Sequence, residues 1–234
     1  MSQYFVLGDV RVHTVFKTVK NVHLTVHPPK GKVTLVAPTG TRPEVARAYA
    51  ISKLSWIRQQ QRALKEQARE TPRRFIERES HHVWGRRYLL RVVEQDNRAR
   101  VDLGNKTLTL FVRPGAIQAK RAKVMNEWHK SLLHSELPTL IATWERRLGV
   151  KVKAYHLQRM KTKWGSCNPS AGNIRLNTEL VKKPKDLLEY VLVHEMAHLL
   201  ERNHSDAFVK ILNLHLPGWR EARLVLNELP LGVG

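Results

Sequence analysis

The stretch from Tyr190 to Leu200 constrains the fold of this chain more than any other. Its residues, Tyr-Val-Leu-Val-His-Glu-Met-Ala-His-Leu-Leu, are apolar except at His194, Glu195 and His198. A run of this kind predicts a helix that is buried on most sides. Ionisable side chains are costly in such a helix unless they are paired or bind a metal ion. The pattern therefore predicts a polar site inside the core.

The spacing of these polar residues indicates which kind of site it is. His194 and His198 are four residues apart, so they lie on one helical face, one turn above the other. Their imidazoles can converge on one ion, with Glu195 beside them. His-Glu-x-x-His is the arrangement of zinc hydrolases, which use two histidine ligands and a carboxylate that takes a proton from water. The sequence predicts a Zn²⁺ site with Glu195 as general base.

A zinc site of this kind needs a third protein ligand. His204 follows His198 by six residues, the spacing found in His-Glu-x-x-His-x-x-Gly-x-x-His enzymes. Glu201 stands where those enzymes have glycine. We expect Arg202-Asn203 to make the turn instead, because asparagine tolerates the left-handed conformation. The alternative third ligand is Glu221, from a later helix.

The next residues predict how the chain continues after this turn. Ser205 is expected to cap a helix that begins at Asp206.

Composition sets the broad class of the protein. A chain of 234 residues is long enough for one domain or two small ones, and 42% hydrophobic with 26% charged residues is globular. Cys167 is the only cysteine, so internal disulfides are excluded and a reducing cytosol is favoured. No signal peptide or membrane-spanning run is predicted. We expect a cytoplasmic protein without membrane contact.

The chain carries a large excess of positive charge. Lysine and arginine number 41 against 20 acidic residues, which gives a net charge of +21. Such an excess favours contact with polyanions such as nucleic acid or nucleotides. A solvated basic surface without a specific partner is the alternative interpretation.

Apolar periodicity predicts an α+β fold with antiparallel strands, long helices and the zinc helix in the C-terminal part. Alternating residues predict strands within 3–37, with a turn at 28–31 before a return strand, and within 88–112, which Trp84-Gly85 precede. An antiparallel hairpin is predicted over 150–177, with strands 150–164 and 174–177 joined by a turn at 166–173. Helical spacing covers 41–70, capped by Thr41 with Pro43 in the first turn, and 116–148, where Pro138 kinks the helix or starts a new one and Gly149 ends it. Asp186 and Glu189 are expected to cap the zinc helix. We divide the chain into an N-terminal β-rich segment with a long helix, 1–75, and a catalytic region, 76–234.

Basic side chains close to the predicted hairpin are candidates for substrate binding. Three alternate ahead of Trp164 and a fourth lies on the partner strand: Arg159, Lys161, Lys163 and Arg175. Each can meet developing negative charge at the site, and each can equally be a surface residue. Tyr190 is expected to pack, and Cys167 is a weaker candidate for a ligand or regulatory thiol.

Several motifs together resemble one known family. They are Arg159-Met-Lys-Thr-Lys-Trp-Gly-Ser-Cys167, Asn173-Ile-Arg-Leu-Asn177, Tyr190-Val-Leu-Val-His-Glu-Met-Ala-His198 and Asn203-His-Ser205. The chain resembles the YgjP-like zinc metallopeptidases, which are related to SprT-like and WLM proteins. The resemblance implies a gluzincin-like catalytic region with zinc ligands His194, His198 and His204 and catalytic Glu195. One departure is Val209, where the family commonly has tryptophan.

Three functions compete at this point. The leading one is a zinc-dependent metallopeptidase that acts on a peptide or protein. The second is a nucleoside triphosphate pyrophosphatase, since members of the resembled family have been associated with hydrolysis of nucleotides such as UTP and activated water can attack phosphorus as well as a carbonyl. The third is a nucleic-acid-binding protein with structural zinc, although structural sites normally have four protein ligands.

Overall fold

The computed structural model describes residues 2–27, 31–66 and 73–228. These residues form two compact units that divide after residue 69. The predicted division at residue 75 with a catalytic second part remains a prediction, because compactness alone does not assign a role to either unit. Among the described helices, none combines the length and the apolar character needed to cross a membrane.

The first unit contains one four-stranded sheet and two helices. Its strands are β1 (Ser2–Leu7), β2 (Val10–Lys17), β3 (His23–His27) and β4 (Lys32–Pro38), in the order β1-β2-β4-β3. The predicted return strand is confirmed, with Leu24 opposite Leu35 in the antiparallel β3–β4 pair. The predicted turn between them lies partly outside the described residues. His23 and His27 are exposed.

The predicted long helix is two helices, α1 (Pro43–Ser52) and α2 (Leu54–Glu66), interrupted at Lys53. Residues 67–70 of the prediction lie outside the described residues. Pro43 occupies the first turn as expected. The predicted Thr41 cap is wrong: Arg42 is the N-cap residue and its side chain makes no capping bond. Proline disfavours helical backbone in the residue before it, so Pro43 keeps Arg42 extended and the helix begins after it.

The second unit begins with another four-stranded sheet. Its strands are β5 (Ser80–Val83), β6 (Arg86–Glu94), β7 (Arg100–Leu103) and β8 (Thr107–Val112), in the order β5-β6-β8-β7. Strand β5 was not predicted. Trp84 and Gly85, predicted to precede a strand, form the two-residue turn between β5 and β6, with φ of 49° and 78°. Such turns match the twist of the flanking strands.

Helix α3 (Gln118–Leu148) follows this sheet in the chain. It passes through Pro138 without ending, and it stops at Gly149, whose φ of 65° is the predicted glycine stop. Trp144 is buried on α3 and its indole N–H donates to Glu189 at 2.8 Å. Trp144 is therefore a core residue.

A three-stranded sheet and three helices complete the second unit. The elements are β9 (Ala154–Gln158), β10 (Gly165–Asn168), β11 (Asn173–Asn177), α4 (Lys185–Ala197), α5 (Asp206–His215) and α6 (Trp219–Glu228). The sheet order is β10-β11-β9. The predicted hairpin is wrong in its first strand, because the range 150–164 contains β9, which pairs parallel with β11. The antiparallel partner of β11 is β10, which lies largely within the predicted turn. A 3-10 helix, Thr178–Lys182, leads from β11 towards α4.

The α+β class is confirmed. Each of the three sheets also contains one parallel pair, which alternation along single strands cannot reveal.

Helix α4 is the centre of the largest core cluster. Its residues from Leu187 to Ala197 are buried except for Glu189 and His194, which are half-buried. The predicted capping pair is wrong, because Pro184 is the N-cap residue and makes no side-chain capping bond. Glu189 turns towards the indole N–H of Trp144 instead. A buried indole donor needs an acceptor, and this need outweighs a cap at an exposed helix end.

One buried histidine in α3 predicts acid sensitivity. His129 is 5% exposed, its Nε2 has no hydrogen-bond partner, and burial lowers its pKa to about 3 from the usual 6.5. Between those values the unfolded chain binds a proton here and the folded chain does not, so the free energy of unfolding falls as pH falls. From pH 6.5 to pH 5 the loss is about 2 kcal/mol.

We expect His129→Leu to remove about 2 kcal/mol of the acid-induced destabilisation. Urea unfolding at pH 7 and pH 5, with chelator throughout, measures it. The matched control is His156→Leu, at an exposed position of β9, which should keep the wild-type pH dependence. An unchanged pH dependence in His129→Leu would contradict the assignment.

Candidate metal and active site

Three histidines converge at the end of α4. His194 lies in the last turn, His198 follows the final helical residue as its C-cap, and His204 lies in the loop before α5. One ring nitrogen from each lies within 4.8 Å of the others. The Nε2 atoms of His194 and His204 are 3.0 Å apart. The arrangement is the one expected from the sequence spacing, although the role of each residue remains a prediction.

Glu201 builds the turn that brings His204 back to the helix. Its backbone carbonyl accepts a hydrogen bond from Nδ1 of His198 at 3.0 Å, and its carboxylate accepts one from the amide of Asn203 at 3.1 Å. The predicted left-handed Asn203 is wrong. Among the described residues other than glycine, positive φ occurs only at Phe75, Arg78 and Trp84. The hydrogen bond from the Asn203 amide to the Glu201 carboxylate stabilises the turn instead.

The ring of Phe208 packs against all three imidazoles. Its ring centroid lies 5.0 Å from His194, 4.6 Å from His198 and 4.9 Å from His204. The predicted cap by Ser205 is confirmed, since its hydroxyl oxygen accepts a hydrogen bond from the Phe208 amide at 3.4 Å. The cap fixes the first turn of α5, and so the ring covers one side of the cluster with apolar surface.

The donor set fits a divalent metal ion. Tetrahedral zinc with Zn–N bonds of 2.0–2.1 Å places two ligand nitrogens about 3.3 Å apart, close to the 3.0 Å between His194 and His204. His198 donates through Nδ1, which leaves Nε2 free as a ligand atom. Burial, followed by the other two histidines, lowers the pKa of His194 to about 4. The imidazole therefore stays neutral, the form that binds metal.

Other candidate ligands do not join this cluster. Glu221 is exposed on α6 and is absent from the three-residue group, which is the only such group among the described residues. Cys167 is half-buried on β10, and burial, followed by the charge of Glu195, raises the pKa of its thiol to about 11. The thiol is therefore protonated at neutral pH and is neither a good ligand nor a reactive nucleophile.

Glu195 is buried next to the histidines, with 7% of its surface exposed. Burial raises the pKa of its carboxyl group to about 7, and the cation of Lys163 partly opposes this shift. A carboxyl group that titrates near neutrality can both accept and return a proton. The geometry therefore suits the general-base role predicted from the sequence.

Gly165 allows Glu195 to occupy this position. A Cβ atom at residue 165 would lie 2.6 Å from both Cγ and Oε1 of Glu195. The backbone of β10 thus passes directly against the carboxylate, closer than any side chain would permit. Sequence inspection placed Gly165 in a motif but gave it no role. Its close approach to Glu195 depends on how β10 packs against α4.

The structure separates the four basic candidates. Lys163 lines a cavity of about 240 Å³ together with His194 and Glu195. Arg159 pairs with Glu179, with its Nε 3.3 Å from the carboxylate. Lys161 and Arg175 are exposed and do not line this cavity. Of the four, only Lys163 is brought beside the carboxylate, and substrate binding by any of them remains untested.

Arg223 also lines the cavity and was missed in the sequence analysis. It lies on α6 between Trp219 and Leu226, which are both buried. The apolar spacing of Trp219 and Leu226 indicates the inward face of that helix, and Arg223 borders it. The spacing of these two apolar residues could have shown that Arg223 lies at the edge of the buried face of α6. It could not have shown which element that face contacts.

Tyr190 belongs to both the core and the site. It is 6% exposed, and its ring lies edge-on to His194 with the centroids 5.9 Å apart. It also lines the cavity beside Glu195. The expected packing role is confirmed by its burial.

A helix with two histidines and a glutamate, close to a third histidine, is the arrangement typical of metallohydrolases. Residues 20–229 match the YgjP-like metallopeptidase domain. The chain therefore belongs to the YgjP-like metallopeptidase family.

Two solved structures are similar to part of the chain. The metallopeptidase zymogen abylysin of Pyrococcus abyssi is 21% identical, with a TM-score of 0.36, covering 41% of this chain and 98% of its own. The zymogen jannalysin of Methanocaldococcus jannaschii is 22% identical, with a TM-score of 0.35, covering 39% of this chain and 93% of its own. No curated protein matches the chain significantly.

Proposed function

We propose that this protein is a zinc-dependent metallopeptidase that hydrolyses peptide bonds with Glu195 as general base. The observation that carries the proposal is the convergence of three histidine ring nitrogens within 4.8 Å, next to a buried carboxyl group. Three ligands leave a coordination position open, as in catalytic rather than structural zinc sites. The family to which the chain belongs adds independent support.

In this proposal, the histidines bind the metal ion and Glu195 transfers the proton. His194, His198 and His204 would hold the ion. When bound, the metal supplies Lewis acidity that makes water nucleophilic at neutral pH and polarises the substrate carbonyl. Glu195 accepts a proton from the attacking water and delivers it to the leaving amine nitrogen. Phe208 keeps bulk water from one side of the histidines.

Strand β10 provides a surface for an extended substrate. It lies at the end of the sheet order β10-β11-β9, so its outer edge has no strand partner among the described residues. Gly165, its first residue, contacts Glu195 closely. A peptide that adds to this edge by main-chain hydrogen bonds would pass beside the carboxylate. This geometry favours a peptide or protein as the substrate.

The other functions considered have less support. A cavity of about 240 Å³ beside Glu195 is smaller than the several hundred Å³ typical of sites for drug-sized ligands, and a nucleoside triphosphate is at least that large. A structural zinc normally has four protein ligands, and the cluster has three. The proposal also includes a cytoplasmic location, which suits a chain whose only cysteine is unpaired.

A metal-dependent peptidase assay tests the proposal. Zinc-loaded protein would be offered a library of unfolded proteins and peptides, and separately a panel of nucleoside triphosphates. We expect peptide cleavage that chelator abolishes and zinc restores. Chelator-sensitive cleavage of triphosphates without any peptide cleavage would overturn the proposal.

The third ligand is tested by metal content. His204→Ala removes one of the three ring nitrogens, so zinc should no longer bind stoichiometrically after dialysis against a weak chelator. His215→Ala is the matched control, because this histidine lies at the end of α5 outside the cluster. Elemental analysis of both proteins gives the answer. Stoichiometric zinc in His204→Ala would exclude the assignment.

A further inference from the structure

The cavity beside Glu195 has a composition that the hydrolytic reaction does not explain. It is lined by the segment leading into β10, by α4 and by α6. Its polar lining includes Thr162, Lys163, Tyr190, Arg223 and Asn227, in addition to the histidine and glutamate of the site. Two cations from separate elements therefore meet at one small cavity.

Both cations are available to a ligand. Among the described residues, neither the Lys163 ammonium nor the Arg223 guanidinium has an ion pair or hydrogen bond, and Lys163 is held through its backbone carbonyl, which accepts from Nδ2 of Asn177 at 2.8 Å. Both side chains line the same cavity as His194 and Glu195. The cavity holds two cations and one carboxyl group, Glu195, so a second anionic group is favoured beside the cations.

The cavity volume restricts which anionic group fits. About 240 Å³ accommodates one amino-acid side chain or a chain terminus rather than a nucleotide. The guanidinium of arginine matches the two oxygens of a carboxylate, and lysine adds a point charge. Thr162 and Asn227 supply neutral hydrogen-bonding groups to the same space.

We propose that this cavity is a subsite for a carboxylate of the peptide substrate, held by Lys163 and Arg223 next to the scissile bond. The carboxylate comes from an aspartate or glutamate side chain or from a free C-terminus. This inference rests on the proposed peptidase function and adds a substrate class to it. The enzyme accordingly prefers an acidic residue, or a terminal residue, adjacent to the bond that it cleaves.

Matched peptide pairs test the subsite. One arm compares internally quenched peptides that carry glutamate or glutamine at each position flanking the cleaved bond. The other arm compares a free C-terminus with its amide. We expect kcat/KM to be higher for the carboxylate member of one pair by about tenfold or more, the effect of charge-assisted hydrogen bonds. The arm that shows the difference identifies the source of the carboxylate.

Variants assign the preference to the two cations. Arg223→Gln and Lys163→Gln should each reduce the carboxylate-to-amide ratio of kcat/KM about tenfold, and Arg223→Glu should favour a lysine-containing peptide instead. Lys210→Gln, at an exposed position of α5 outside the cavity, is the matched control and should keep the wild-type ratio. Metal content and melting temperature of each variant report whether it is folded and loaded.

The outcomes separate the two proposals. If the wild-type enzyme cleaves peptides with equal kcat/KM for carboxylate and amide members, the subsite is wrong and the peptidase proposal stands. If the ratio survives both glutamine variants, the cations are not the cause and the subsite is also wrong. If no peptide of any kind is cleaved and triphosphates are, the peptidase proposal fails and the subsite for a peptide carboxylate fails with it. A variant that does not fold leaves the wild-type ratio as the deciding measurement.

Discussion

Replacing Glu195 with glutamine is expected to abolish peptide hydrolysis while zinc remains bound. The amide has nearly the shape of the carboxyl group but cannot accept a proton from water, so the general-base contribution of about 10²–10⁴ in rate is lost. The three histidines are unchanged and should hold one zinc ion per chain. Single-turnover cleavage of a peptide and elemental analysis of the same sample measure the two effects separately.

A matched glutamate variant makes this result specific. Glu221→Gln changes an exposed carboxylate on α6 that lies outside the histidine cluster, and it should retain both zinc and full activity. The same variant tests the alternative ligand considered in the sequence analysis. Full activity in Glu195→Gln would rule out the proposed mechanism, and loss of zinc in Glu221→Gln would reopen the choice of third ligand.

Replacing Gly165 with alanine is expected to reduce kcat/KM about a hundredfold, since a displacement near 1 Å at a reacting group has an effect of this size. The new Cβ would lie 2.6 Å from two atoms of Glu195, so either the carboxylate or the backbone of β10 must move. The histidines are not crowded, and zinc content should be unchanged. Steady-state kinetics, zinc content and melting temperature together test the prediction.

A double variant shows whether Gly165 acts through Glu195. If Gly165 acts through Glu195, the double variant Gly165→Ala with Glu195→Gln should be as active as Glu195→Gln alone. The side chain that the alanine displaces can no longer act as a base in either protein. Gly218→Ala is the matched control, since a Cβ there meets no atom within 4 Å and the backbone φ is not positive. A full further loss in the double variant would show that Gly165 affects catalysis independently of Glu195.

The features that depend on local spacing could be predicted from the order of the residues. Two histidines four apart in an apolar run lie on one face of a helix whatever surrounds it, and His204 follows closely enough to return to the same point. The hairpin over 150–177 could be predicted only in part, because alternation indicates strands but not which strands pair: β10 lies largely in the predicted turn, and β9 pairs parallel with β11. The motifs over 159–205 predicted the family that the match over 20–229 shows.

Tertiary structure alone decided the surroundings of Glu195. Gly165 and Glu195 are thirty positions apart, and Lys163 and Arg223 are sixty apart, yet the packing of β10, α4 and α6 brings them to one cavity. The physical reason is that periodicity assigns a residue to a face of its own element but carries no information about which element that face meets. Burial of the carboxylate, with its pKa near 7, follows from that packing, as do the two unpaired cations beside it.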